Sequence, residues 1–191
     1  MPALPTLHTK RLILRPFTLA DAPELQAMCD DPDLASTTLT LPTPYALSDA
    51  EQWISKHAAD FESGVAMTLT LTLRETGEMV GNVGMRLCAQ HARGELGYLI
   101  GKRYWGCGYC TEGARAVVRY AFVELKLNRI FAEHFTRNPA SGRVMQKTGM
   151  RCEGILRQHL RKLDGRFEDA VTYGILRTEA SELLNESEVH A

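Results

Sequence analysis

The sequence has no surplus of either charge: 22 Lys and Arg stand against 23 Asp and Glu, a formal net charge of −1 over 191 residues. Without a basic surplus there is no strong field for holding nucleic acid. No apolar run approaches the eighteen or so residues of a membrane-spanning helix. The opening Met1-Pro2-Ala3-Leu4-Pro5 lacks the basic flank and apolar core of a secretion signal. A soluble, cytoplasmic chain is expected, with no membrane and no direct nucleic-acid partner. None of the six histidines stands at metal-ligand spacing from another histidine or a cysteine, which argues against a metal site. The five cysteines are an odd number, as free thiols in a reducing compartment would be. Proline is almost missing after residue 44: seven of the eight come before it and only Pro139 after. Loops and short helices are therefore expected first, and uninterrupted regular structure later.

What is present has an ordinary globular balance, 45% hydrophobic and 24% charged. The length suits one domain, set at residues 1–178, with an acidic tail at 179–191. Arg11–Arg15 reads as a strand stopped by Pro16, and Thr18 or Asp21 caps a helix to about Met28. Residues 31–47 read as a loop. Ser48-Asp49-Ala50-Glu51 has the capping-box pattern and opens a helix ended by Gly64. Met67–Leu73 alternates apolar residues with Thr, the period of a strand. Strands at 79–87 and 95–100 follow. A helix from Thr111 to about Leu127 carries Ala114, Val117, Val118, Ala121, Phe122 and Leu125 on one face, with Asn128 as its left-handed stop. Then come a strand at 130–135, a helix begun by Asn138-Pro139 and ended by Gly149, and strands near 151–163 and 166–177 joined by Asp164-Gly165. The order β-α-α-β-β-β-α-β-α-β-β favours a mixed α/β sandwich over a doubly wound parallel sheet.

Between the third of the central strands and the long helix lies Arg103-Tyr104-Trp105-Gly106-Cys107-Gly108. Strand, glycine turn and helix start together make an anion site, because unpaired first-turn N–H groups and the positive end of the helix dipole face the turn. Gly106 and Gly108 allow close backbone approach, Thr111 can add a hydroxyl, and Arg103 brings charge. Two other readings share these residues. A dinucleotide fingerprint would need a third glycine where Thr111 stands, and an acidic residue about twenty positions on. Cys107-Gly108-Tyr109-Cys110 is a Cys-x-x-Cys at a helix start, the arrangement of redox motifs.

The chain resembles the GNAT superfamily of N-acetyltransferases, and within it the RimJ/RimL-like branch. The resemblance rests on Arg103-x-x-Gly106-x-Gly108, on Gly94-Glu95-Leu96-Gly97-Tyr98-Leu99-Ile100 followed by Tyr104-Trp105-Gly106, and on Asn138-x-x-Ser141 with Arg143-Val144-Met145 and Lys147-x-Gly149-Met150. It runs from Thr9 nearly to the last strand. It implies a mostly antiparallel, splayed sheet with acetyl-CoA in the gap. Leu99 and Ile100 would then bond the pantetheine, and an N–H near Leu99 would polarise the thioester. The amides of Trp105, Gly106, Cys107, Gly108 and Tyr109, with Thr111, would hold the pyrophosphate. Asn138 would bond the cofactor arm and bring Ser141 near the sulfur. Cys107 and Cys110 depart from the branch pattern, at positions whose backbone does the binding.

Acetyl transfer needs a neutral amine, a polarised carbonyl and a proton for the thiolate. An α-amine with pKa near 8 is roughly 10% neutral at pH 7, and a lysine near 10.4 only about 0.04%. A protein α-amine thus needs only a weak base, for which Glu95 is the candidate. Ser141 is the candidate acid and Tyr98 a further donor; His134, a lone strand histidine, has a structural reading as well. The acceptor is expected to be a primary amine, foremost the N-terminal α-amine of a protein or peptide such as a ribosomal protein. A small-molecule amine (polyamine, amino acid, antibiotic) and a CoA-binding or thiol–disulfide protein remain open, as does pairing with a second copy as a homodimer. The acceptor pocket is placed at loop 31–47 with Tyr45 and at the hairpin near 157–168.

Overall fold

The structure is a computed structural model, and it describes residues 3–185. Eight strands form one sheet: β1 (Leu7–His8), β2 (Leu12–Arg15), β3 (Ala66–Leu73), β4 (Met79–Cys88), β5 (Arg93–Ile100), β6 (Arg129–Phe135), β7 (Arg151–Arg161) and β8 (Phe167–Leu176). Their spatial order is β1-β2-β3-β4-β5-β6-β8-β7. Every neighbouring pair is antiparallel except β5 and β6. That parallel pairing covers only Arg93–Glu95 against Arg129–Phe131. Beyond it β5 runs on to Ile100 and β6 to Phe135 without touching each other. β6 stays paired with β8 along its whole length, and β5 stays paired with β4 as far as Gly81 opposite Ile100. The sheet therefore splits into two halves that diverge with its twist. This is the mostly antiparallel, splayed α/β sheet expected from the sequence.

The two faces are covered by different helices. α5 (Tyr109–Val123) and α6 (Pro139–Lys147) lie on one face. Of the predicted stripe, Ala114, Val117, Val118, Ala121 and Phe122 are buried there, joined by Gly113 and Ala116, while Leu125 falls past the end of the helix and is only partly buried. A side chain at Gly113 would meet Leu71 of β3 at 2.7 Å, so the glycine sets how closely helix and sheet approach. On the other face α1 (Ala22–Cys29) and α3 (Leu47–Ile54) build a second, smaller core around Leu25, Cys29, Tyr45, Ile54 and Met79. The threonines of β3 are not a wet face: Thr70 and Thr72 are buried and donate to the carbonyls of Gly81 and Ile13. Such bonds remove most of the cost of burying a hydroxyl.

Several sequence-based boundaries move, each for a local reason. β1 precedes the first expected strand. The 31–47 stretch contains a short helix, α2 (Pro32–Ser36), capped by Asp31, whose carboxylate accepts from the Asp33 amide at 2.8 Å. Ser48 does not cap α3. The helix starts one residue earlier, and the Asp49 carboxylate accepts from the Ala46 amide at 3.0 Å. The helix expected to continue to Gly64 breaks at Ser55 and resumes as α4 (His57–Glu62). α5 begins at Tyr109 and ends at Val123, and the left-handed residue after it is Lys126 (φ 56°), not Asn128. Past Thr178, α7 (Ser181–Asn185) buries Leu183 in the main core. The rest of the expected tail, 186–191, lies outside the described residues.

His57 is buried between the rings of Phe17 and Trp53, at 5.4 and 4.3 Å between centroids, and neither ring nitrogen has a hydrogen-bond partner. Burial pushes its pKa down from 6.5 to about 4. The unfolded chain therefore binds a proton that the folded chain refuses between those two values, so stability falls as pH drops from about 6.5 to about 4. The effect should approach 3 kcal/mol at the acid end. Urea titrations should show His57→Phe losing much less stability than the parent across this window. Parallel losses in both proteins would remove His57 as the cause.

Candidate active site

Where β5 and β6 part, a cleft of about 720 Å³ opens, within the usual size of a small-molecule site. β5 contributes Leu96–Ile100 and β6 contributes Glu133 and His134, joined by the first turn of α5 and by α6 from Ala140 to Lys147. Peptide groups alternate sides along a strand. The Gly101 amide donates to Val80 of β4 at 3.0 Å, whereas the Ile100 carbonyl accepts from the Trp105 indole at 2.8 Å. The peptide groups of Ile100 and, two residues back, Tyr98 therefore face the gap. Those of Leu99, expected from the sequence to bond the pantetheine, face β4 instead, where its register partner is Asn82. Gly81 next to it is packed so tightly that a Cβ there would stand 2.1 Å from the Leu99 carbonyl.

The loop after β5 is held in shape by positive-φ glycines, Gly106 at 80° and Gly108 at 82°, the latter the N-cap residue of α5. The amides of Trp105 and Cys107 are spent in turns, on the carbonyls of Lys102 and Tyr104. Among the described residues the amides of Gly106, Gly108 and Tyr109 to Thr111 have no acceptor, and no side chain caps the helix. A row of free N–H groups at a helix N-terminus can hold a phosphate. The nearby cation is not the expected one. Arg103 turns away, with its guanidinium 2.7 Å from the Glu78 carboxylate. Arg11 takes the place beside the loop. It donates to the Cys107 carbonyl at 3.0 Å, lies over the Tyr109 ring and pairs with Glu112 at 2.7 Å. Burial works against a charged Glu112, but hydrogen bonds from Thr9 and Arg11 outweigh it and hold the carboxyl below its ordinary range. Arg143 and Lys147 of α6 also line the cleft. No sequence signal singled out Arg11, ninety-six positions from Cys107.

The proton-carrying candidates divide sharply. Tyr98 and Ser141 come together: the phenol oxygen is 2.9 Å from both the Ser141 hydroxyl and the Ser141 carbonyl. Burial raises the phenol's pKa, keeping it a neutral donor. Asn138 caps α6, its side-chain oxygen accepting from the Ser141 amide. Glu95 sits at the last position of β5 that pairs with β6, bound to exposed Arg86 at 3.2 Å, and is not among the residues lining the cleft. Glu133 is. Burial raises its pKa, opposed by His159 at 3.6 Å and reinforced by Glu95. His134 donates from Nδ1 to the Phe135 carbonyl, and its bare Nε2 is pressed against Gly142. Cys107 lies before the helix cap, and burial pushes the Cys110 thiol up to about 12, the opposite of what thiolate chemistry needs.

Residues 11–151, most of the chain, match the acetyltransferase (GNAT) domain family. The chain belongs to the GNAT acetyltransferases. It is 35% identical over 174 residues to the uncharacterized N-acetyltransferase YoaA of Bacillus subtilis (strain 168), covering 91% of this chain and 97% of that one. It is 33% identical over 76 residues to the [ribosomal protein uS5]-alanine N-acetyltransferase of Escherichia coli (strain K12), which spans 40% of this chain and 39% of that one. A solved GNAT-family acetyltransferase from Bacillus anthracis superposes with a TM-score of 0.81 at 25% identity, over 92% of this chain and all of the other. Like its family, the GNAT chain uses acetyl-CoA, and it is an N-acetyltransferase. The free amides of the loop and the unpaired edge of β5 are what a pyrophosphate and an amide-bearing arm require. Among the described residues no group of three His, Cys, Asp or Glu could hold a metal, and no helix is long and apolar enough to cross a membrane.

Gly81→Ala should test the rigidity of this edge. The added methyl must displace Leu99 and with it the cleft-facing amides of Tyr98 and Ile100. Turnover is expected to fall at least tenfold in a protein that still folds, a loss of about 1.4 kcal/mol in transition-state stabilisation. Unchanged kcat with a fold intact by circular dichroism would show that β5 has slack there.

Proposed function

We propose that the chain acetylates the α-amine of a protein or peptide by direct attack on acetyl-CoA in a ternary complex. The observation that carries this reading is the charge of the cleft: among the residues lining it, Glu133 alone is acidic. One carboxylate suffices to take a proton from an amine with pKa near 8, whereas a polyamine would call for several. The relative that acts on the alanine of ribosomal protein uS5 supports the same class of acceptor.

In this reading the amides of Gly106, Gly108 and Tyr109 to Thr111 hold the pyrophosphate, with Arg11 bracing the loop. Asn138 and the gap-facing peptide groups of Tyr98 and Ile100 hold the pantetheine arm. The gap-facing amides of Tyr98 and Ile100 polarise the thioester carbonyl. Glu133 accepts the amine proton, with His159 behind it toward solvent. Ser141 passes its proton to the departing thiolate and takes one back from the Tyr98 phenol 2.9 Å away, which is reprotonated from solvent, while Glu133 releases the amine's proton to solvent past His159.

Thiol release from acetyl-CoA, followed across peptides and small amines, tests the acceptor class. Peptide α-amines should be turned over and acetylated at the N-terminus. Turnover only with small amines would overturn the proposal. With a good acceptor, Ser141→Ala and Glu133→Gln should each lower kcat by about 10²-fold, with acetyl-CoA affinity by calorimetry nearly unchanged. Glu95→Gln should stay within about twofold. The reverse ranking of the two glutamates would return the base role to Glu95.

A further inference from the structure

A second cavity of about 150 Å³ lies on the opposite face of the sheet from α5 and α6. Leu25 and Cys29 of α1, Leu41 and Tyr45 of the following loop and Trp53 of α3 form its walls. Thr38, Thr40 and Leu99 line both this cavity and the cleft, so the two spaces meet at Leu99. An amine brought to the gap between β5 and β6 past Leu99 carries its substituent to this junction.

Two properties of the cavity define what fits it. No Asp, Glu, Lys, Arg or His lines it. Burial lifts the Cys29 thiol and the Tyr45 phenol to about 12, and His57 behind Trp53 is pushed down to about 4, so all three are neutral at pH 7. A charged group would be stripped of water there with nothing to offset the loss. The second property is Asn82 of β4. It is 8% exposed, lines the cavity, and its side chain makes no hydrogen bond among the described residues. Its amide atoms are open to the cavity, where a ligand can take the hydrogen bonds that the protein does not supply. A cavity of this volume takes a group up to about the size of benzene.

We propose that this cavity is the acceptor's side-chain pocket and selects α-amines whose first residue is uncharged, of intermediate size, and able to hydrogen-bond the Asn82 amide. The assignment rests on the α-amine reading above. Asparagine fills these terms, leucine fills all but the hydrogen bond, and aspartate differs from asparagine by its charge.

Peptides identical except for a first residue of Asn, Leu, Asp or Lys separate the terms, with kcat/KM as the readout. Asn and Leu peptides are expected to exceed Asp and Lys peptides at least about tenfold. Asn82→Leu should lower the Asn peptide relative to the Leu peptide by about tenfold, since the lost hydrogen bond affects only one of them. Where Asn82→Leu does not fold, Leu41→Asp at the half-buried wall should instead raise the Lys peptide relative to the Asp peptide. Equal use of all four peptides, or no change of ranking in a folded variant, overturns the pocket while leaving peptide acetylation intact. Failure of every peptide alongside turnover of a small amine overturns the α-amine reading itself.

Discussion

The early end of pairing between β5 and β6 is the constraint on which the rest of the structure depends. Two neighbouring strands that separate after Glu95 and Phe131 leave backbone donors and acceptors without a ladder. Protein interiors rarely tolerate such groups unpaired. Here they line the cleft, where a ligand can bond them. The strands hold their divergent course because each remains fully paired on its far side, β5 with β4 and β6 with β8. The gap is therefore built into the register and needs no distortion of either strand.

A split sheet needs braces, and they sit on both rims. Glu112 in the first turn of α5 accepts from the Thr9 hydroxyl and from both the amide and the guanidinium of Arg11, which ties the loop to the strand-β2 end of the sheet. Tyr98 reaches across the gap to Ser141 and joins the two halves at the cleft itself. Above them α2 spans the opening. Asp33 pairs with Lys102 beyond β5, and the Ser36 carbonyl accepts from Arg137 beyond β6 and from Lys162 of the β7–β8 hairpin. Exposed pairs like these contribute little singly. Their placement matters more than their strength, because they set the position of Leu34 to Thr40 over the cleft.

The sequence made legible those features that depend on near neighbours. The Leu–Thr alternation of β3, the α5 stripe, the Asn138 cap and the Asp164-Gly165 turn all came from spacing within a few residues, and each lies where expected. The residues that escaped notice act at long range. Arg11 has no local pattern that would link it to a loop ninety-six positions away, and the signature position Arg103 looked like the cation although Glu78 holds it elsewhere. Glu133 carried no signal of its own in the sequence. Its distinction from Glu95 comes from which strand edge borders the gap, and that is set by the register of β5 on β6. The break between α3 and α4 was equally hidden, since helical periodicity passes through Ser55 unchanged.

The geometry of β5 explains how one strand can keep two substrates apart. A strand presents three directions: side chains above, side chains below, and peptide groups in the plane. Tyr98 and Ile100 send side chains toward the α5 and α6 face and peptide groups into the gap. Leu99, between them, sends its side chain to the other face, where it forms the wall shared by the cleft and the neutral cavity. Cations gather on the first side, with Arg11, Arg143 and Lys147 around the loop and α6, and no formally charged residue lines the cavity on the second. In the proposed reading the period of two thus sorts a polyanionic cofactor from an uncharged acceptor group with a single residue between them. A shift of β5 by one position on β4 would exchange the two faces and destroy both sites at once, and the close packing of Gly81 against the Leu99 carbonyl stands at that register.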